Sequence, residues 1–229
     1  MNIRTLFTIR RHQSGFSLIE MAIVMFIIAL LLGGLLPTIS SQIEQKNRSD
    51  TIKQLDEIQQ ALVGYAIING RLPYPAKATI ATGTTNAGIA DSTVQTGVIP
   101  WATLGIRETD AWGRRFTYIA SNSFIASNFT ITSSGTFTIK SASTSGTNIA
   151  TNIPAVIVSH GPNGFGAYTT TGSQILPIPV ANPDEAENAD GTLNTIFVTH
   201  DFTTTFDDLV VWISPNILIN RMVAAGKLP

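Results

Sequence analysis

The chain has 229 residues with 14 Lys and Arg against 15 Asp and Glu, a formal net charge of -1. A near-neutral chain offers no basic stripe to displace counterions from phosphates, which argues against a nucleic-acid partner. Cysteine is absent, which excludes disulfides, thiolate metal sites and a thiol nucleophile while leaving the compartment open.

The first fifteen residues carry Arg4, Arg10 and Arg11 and no acid, so the rest of the chain is more acidic than the whole. An apolar run follows from Phe16 to Leu36, interrupted by Glu20. At 1.5 Å per residue these 21 residues would extend roughly 31 Å as a helix, against a hydrocarbon core of about 30 Å. The charge order places residues 1–15 on the cytoplasmic side and the body outside. A removable secretory signal shares the order but has a shorter apolar region and ends at a small-residue site; here only Thr38-Ile39-Ser40 is available. Arg10-Arg11 also admits twin-arginine export, which an acid inside the apolar run fits poorly.

Glu20 is the informative residue. A carboxylate inside a membrane helix costs about 2.5 to 3.5 kcal/mol on insertion scales and needs a partner or a function, although one this near the interface can in part reach water. The stretch "GFSLIE" (Gly15 to Glu20), with a basic leader before it and an apolar run behind it, resembles the class III leader of type IV pilins and type II secretion pseudopilins. The resemblance implies that prepilin peptidase cuts between Gly15 and Phe16 and methylates the new amine of Phe16. It implies that the apolar segment is retained, first as an inner-membrane anchor and then in the core of a filament. It also supplies Glu20 with a partner, the Phe16 amine of a neighbouring subunit. Pro37 falls where many of these proteins also have proline, and is expected to mark a bend or kink.

Past Pro37 the composition turns polar but the helical period resumes through Ile43, Ile52, Leu55, Ile58, Leu62, Val63 and Ala66. Asn69-Gly70 and then Pro73 read as a stop. One helix is thus expected from Phe16 to Asn69, its second half packed on a sheet. Four segments follow: a cleaved leader at 1–15, a transmembrane and filament-core helix at 16–37, an amphipathic continuation at 38–70 and a β-rich body at 71–229.

In the body, residues 70 to 101 are rich in Gly, Thr, Ala and Pro and form a long irregular connection. Asp110-Ala111-Trp112-Gly113 resembles the turn before a strand in major pseudopilins, with alanine in place of their proline. "FTITSSGTFTIK" (Phe129 to Lys140) alternates apolar and Thr residues around Ser133-Ser134-Gly135 and predicts a hairpin. The Ser/Thr-rich stretch around it also admits an O-glycosylated surface. Further strands are expected at Ala155–Ser159, Thr195–Thr199 and Leu209–Ile213, then a short helix opened by Ser214-Pro215 and closed by Gly226. The fold class is α+β: a long N-terminal helix on an antiparallel sheet, pilin-like.

The chain contains no H-E-x-x-H, P-loop or dinucleotide glycine fingerprint. His160 and His200, with Ser159 and Asp201 nearby in sequence, would make a catalytic set only if the fold joins them, and the chain is read as no enzyme. "VSHGPNGFGAY" and "FDDLVVW" are similar to the calcium-binding loop region of pseudopilins. That resemblance implies calcium candidates at Asn163, Asp207 and Asp208, an ion that takes oxygen ligands; no other cofactor is expected. Asn163 stands where those proteins have aspartate. The acidic stretch "NPDEAENADG" (Asn182 to Gly191) has no EF-hand spacing and reads as a solvated loop.

The resemblance implies a structural subunit whose partners are other pilin or pseudopilin subunits, prepilin peptidase, an inner-membrane assembly platform and lipid. A minor pilin of a type IV pilus and a pseudopilin of a type II secretion system are the competing subtypes. A membrane-tethered periplasmic enzyme or binding module that keeps residues 1–15 is the alternative of a different class.

Overall fold

The computed structural model describes residues 15–175, 182–190 and 195–229, with the side chains of residues 32–38 outside the description. The chain divides into two units at Glu44 and Gln45. Both draw on one helix, α1 (Leu18–Asn69), whose backbone is helical on both sides of Pro37.

In the first unit every described residue from Gly15 to Glu44 is exposed, with Phe16 84% and Leu18 89% accessible. Sixteen apolar-run positions from Phe16 to Leu31 thus find no cover within the chain. Among the described residues no helix is long and apolar enough to cross a membrane. The expected span at 16–37 includes residues 32–37, whose side chains are not described, so the membrane expectation is carried by the sequence rather than by the fold.

In the second unit the helical stripe that meets the core is Thr51, Leu55, Ile58, Leu62 and Ala66, spaced by three or four residues. Ile43 and Ile52, expected on that stripe, are exposed. Thr51 takes the place of an apolar residue at the end of the stripe because its hydroxyl accepts the Ala111 N–H at 3.2 Å, tying the helix to the turn. Burying each of Leu55, Ile58 and Leu62 contributes about 1.5 to 3 kcal/mol. The helix stops as expected: Gly70 has φ 72° and donates its N–H to the Ala66 carbonyl at 2.8 Å. The positive φ favours glycine here, and a Cβ would also make the exposed Asn128 side chain move.

The chain then forms β1 (Thr96–Val98), α2 (Trp101–Leu104), β2 (Arg114–Arg115), β3 (Thr117–Ala120), α3 (Asn122–Ile125), β4 (Phe137–Lys140), β5 (Asn148–Ile153), β6 (Ala155–Ser159), β7 (Tyr168–Thr169), α4 (Pro183–Ala189), β8 (Ile196–Val198), β9 (Leu209–Ile213) and α5 (Pro215–Ala224). The main sheet is antiparallel with order β1-β3-β6-β9. A second sheet, β5-β4-β8, adds one parallel pair, β4 with β8. The body therefore has three layers. Ala155 and Ile157 of β6 face the core shared with α1, while Val156 and Val158 face Phe137, Ile139, Ile153 and Phe197 of the second sheet. This explains why "AVIVS" is an unbroken apolar run capped by one polar residue: both its faces are covered.

The α+β expectation holds, as do β6, β8, β9 and the closing helix α5. The hairpin expected at Phe129 to Lys140 does not form. Only Phe137–Lys140 is a strand, and it pairs with β5 and β8. Phe129 instead packs on Phe124 in the first core, with ring centroids 4.8 Å apart. Gly135, the expected turn glycine, lies flat against the Ile153 carbonyl, where a Cβ would overlap it.

The irregular connection before Trp101 is organised by a residue from outside it. Arg115 is fully buried, with Nε donating to Glu108 at 2.8 Å, Nη1 to the Ala78 carbonyl at 2.7 Å, and Nη2 to the Thr82 hydroxyl at 3.0 Å and the Thr170 carbonyl at 3.1 Å. Its guanidinium also lies 4.6 Å from the centre of the Trp101 ring.

Candidate functional site

Two places in the chain carry the residues singled out by sequence. At the start of α1, Ser17 and Glu20 form a capping box. The Ser17 hydroxyl accepts the Ile19 N–H at 3.2 Å and the Glu20 Oε2 accepts the Ser17 N–H at 2.8 Å. The helix N-terminus also favours a negative charge in its first turn. Glu20 thus has an intrachain role, carried by the local pattern Ser-x-x-Glu. Gly15 and Phe16 precede the helix and are exposed, while the rest of the leader and its basic residues lie outside the described residues.

The second place is where the β6–β7 loop, α4 and the start of β9 meet. Asp207 and Asp208 come together there as expected, but the third acid is Glu185, and one carboxylate oxygen from each lies within 4.8 Å of the others. Asn163 is adjacent without presenting an oxygen to the group. Its Nδ2 donates to Glu185 Oε1 at 2.9 Å, its Oδ1 accepts the Phe165 N–H at 2.9 Å, and its own N–H donates to Asp207 Oδ2 at 3.1 Å. Of the calcium candidates Asn163, Asp207 and Asp208, the two aspartates join Glu185, and Asn163 donates to Glu185 and Asp207 from beside them. The solvated-loop reading of Asn182 to Gly191 is overturned, since Pro183–Ala189 is helical and Glu185 is only 2% exposed. Glu185 is drawn in because Oε1 also accepts the Asp207 N–H at 3.0 Å. Asn188 completes the frame, bonding both the N–H and the carbonyl of Val198 and holding Asp208 Oδ2 at 2.9 Å.

His160 is fully buried behind these acids. Its Nε2 bonds the Thr117 hydroxyl at 2.8 Å, while Nδ1 lies 3.7 Å from Asp208 Oδ1, too far for a hydrogen bond. Burial pushes the imidazole down to about 4, so the two do not form an ion pair at neutral pH. Burial raises Asp208 well above the usual carboxylate range, and burial with the neighbouring Glu185 charge lifts Asp207 to about 7. Ser159 is not the nucleophile of a triad: its hydroxyl donates to Asp110 Oδ2 at 2.7 Å. His200 turns the other way, meeting Asp184 at 3.3 Å and stacking on Phe206.

Asp110 is a structural acid. Its Oδ1 accepts the N–H groups of Trp112 at 3.0 Å and Arg114 at 2.9 Å, closing the turn before β2. Burial raises its pKa above the ordinary value, against the hydrogen bonds and the Arg114 charge that lower it. A carboxyl whose folded pKa is raised contributes most below its unfolded pKa and loses that contribution as pH climbs through the folded one. Asp110→Asn should therefore flatten the decline in unfolding free energy from about pH 4 upward, by no more than roughly 1.4 kcal/mol per pH unit relative to wild type, as measured by denaturant melts across pH. A pH profile unchanged in slope would show that Asp110 ionises normally.

Comparison with protein families places the prokaryotic N-terminal methylation motif at residues 10–36. This is the class III leader of type IV pilins and pseudopilins, and it supports a pilin-like or pseudopilin subunit processed by prepilin peptidase. The comparisons find no significant match among curated proteins or solved structures.

Proposed function

We propose that the chain is a structural subunit of a filament of the type IV pilus class, cut between Gly15 and Phe16, methylated on Phe16 and assembled through its N-terminal helix. The observation that carries this reading is the coincidence of the methylation motif with an apolar helix that finds no cover in its own chain. Apolar surface on this scale marks a site that lipid or another protein covers. Held in the inner membrane with the body in the periplasm, residues 16–37 are covered by lipid before assembly and by neighbouring helices after it. The role is polymerisation rather than turnover.

Within that class we favour a minor pilin. The body extends over residues 71–229, and the chain lacks the cysteine pair that closes the C-terminal loop in many major pilins. A type II secretion pseudopilin is the second reading, favoured by the Asp207-Asp208 segment before Trp212 and its closeness to the His160–Gly166 loop. The reading is tested on the native N-terminal peptide, expected to begin at Phe16 and to carry one added methyl group.

A further inference from the structure

A cleft of about 310 Å³ opens between the edge strand β1, the turn after β7 and the end of α4. This is the lower end of the range for small-molecule pockets, about 300 to 1,000 Å³. Its buried wall is made of short residues, Ala78, Gly97, Gly166 and Ala189. Packing enforces this, because a Cβ on Gly97 would overlap the Ala76 carbonyl and one on Gly166, at φ 84°, would overlap the Ala189 methyl group. The wall is therefore free of long side chains, and a flat ring can approach the backbone there.

The two buried polar side chains of the cleft are already engaged. Thr117 bonds His160 Nε2 at 2.8 Å, and the Asn188 amide is taken by Val198 and Asp208. The polar groups nearer the mouth are left over. Among the described residues the Thr96 and Tyr168 hydroxyls and the Asp190 carboxylate have no hydrogen-bond partner within the chain. Gln174 gives its Nε2 to the Gly166 carbonyl at 3.1 Å and keeps Oε1 to accept another donor. Among the described residues no lysine, arginine or histidine lines the cleft, and its one charge is Asp190, so an anion is opposed. A cation would gain one exposed carboxylate, a contact worth about 0 to 1 kcal/mol. An apolar ligand would strip water from these hydroxyl, amide and carboxylate groups without replacing its hydrogen bonds.

We propose that this cleft binds a neutral sugar ring, a hexose or N-acetylhexosamine unit. Such a ring presents several hydroxyls and one apolar face. The hydroxyls meet Thr96, Gln174 and Asp190, and the apolar face lies on the short-residue wall and the half-buried Tyr168 ring. The site belongs to the body alone and stands or falls independently of the filament reading.

The test uses the full-length chain in a detergent without a sugar headgroup and reads saturation-transfer NMR. Glucose, galactose, mannose and N-acetylglucosamine are added separately, with N-acetylneuraminic acid and choline as anionic and cationic controls. Transfer to at least one neutral sugar is expected, with Kd on the order of 1 mM, as suits a small site with a few hydrogen bonds. Tyr168→Phe keeps the ring and removes the hydroxyl, and Asp190→Asn keeps the shape and removes the charge. Each should weaken binding by about threefold or more. No hydrogen bond of the fold uses either group, so both variants should melt with the wild-type chain, which separates lost binding from lost structure. No transfer to any neutral sugar, stronger transfer to either charged control, or wild-type affinity in the Tyr168→Phe, Asp190→Asn double variant overturns the proposal.

Discussion

Filaments should not take up the chain carrying Glu20→Ala, while its body stays folded with the wild-type melting temperature. The second unit, which includes the body, begins at Gln45, and every described residue around Glu20 is exposed, so nothing in that unit depends on this carboxylate. Breaking a buried ion pair by removing one partner costs about 3 to 5 kcal/mol, which corresponds to a hundredfold or greater loss in a subunit–subunit equilibrium. Two roles of Glu20 can be separated. Glutamine still fills the capping box opened by Ser17, because a side-chain oxygen can accept the Ser17 N–H, but it has no charge for a neighbour's Phe16 amine. Glu20→Gln should therefore keep helix content and fail in assembly almost as fully as Glu20→Ala. Measured incorporation of Glu20→Gln at wild-type level would assign Glu20 to capping and remove the amine pair.

Arg115→Ala is expected to be the most destabilising single change in the body, by about 3 to 5 kcal/mol, or on the order of 10 °C in melting temperature for a chain of this size. The guanidinium is fully buried and makes four hydrogen bonds that hold Ala78, Thr82, Glu108 and Thr170 together. Removing it takes away the Ala78 carbonyl's side-chain donor and the cation paired with Glu108, while the Thr170 carbonyl keeps the Thr82 N–H. Arg115→Lys should recover only part of the loss, since an ammonium cannot reproduce the planar fork or the stacking on Trp101. Thermal melts of the full-length chain decide this: a shift below 2 °C for Arg115→Ala would mean that the connection before Trp101 is held by other contacts.

These two residues mark what could and could not be read from the sequence. Glu20 announces itself because a charge inside an apolar run is locally anomalous. Arg115 does not, because every one of its partners is outside its own strand. The same division runs through the fold. The stop at Gly70, the apolar run of β6 and the Ser214-Pro215 opening of α5 are set by neighbours in sequence, and all were legible. The expected hairpin failed because alternation fixes which face a residue takes without saying which strand lies beside it. Phe137–Lys140 found β5 on one side and a parallel β8 on the other.

The acid site was half legible for the same reason. Asp207 and Asp208 were picked out by motif, whereas Glu185 sat in a stretch whose composition looks solvated. Only the fold brings it under Asn163, where the Asp207 N–H and the Asn163 amide both reach its carboxylate. His160, a candidate catalytic residue by sequence, is buried by the fold between Thr117 and Asp208 and away from His200. At the N-terminus the Ser17–Glu20 pair is legible as Ser-x-x-Glu, since both of its hydrogen bonds are made between near neighbours in sequence.

The central claim is that the chain is cut after Gly15 to make an assembly-competent Phe16 amine. Mass spectrometry of the N-terminal peptide from native membranes, with and without an active prepilin peptidase, tests it most directly. The account predicts N-methyl-Phe16 when the peptidase is active and an uncut chain that retains residues 1–15 when it is not. A chain that retains its leader in both cases would contradict the account and make residues 1–37 the tether of a different kind of protein.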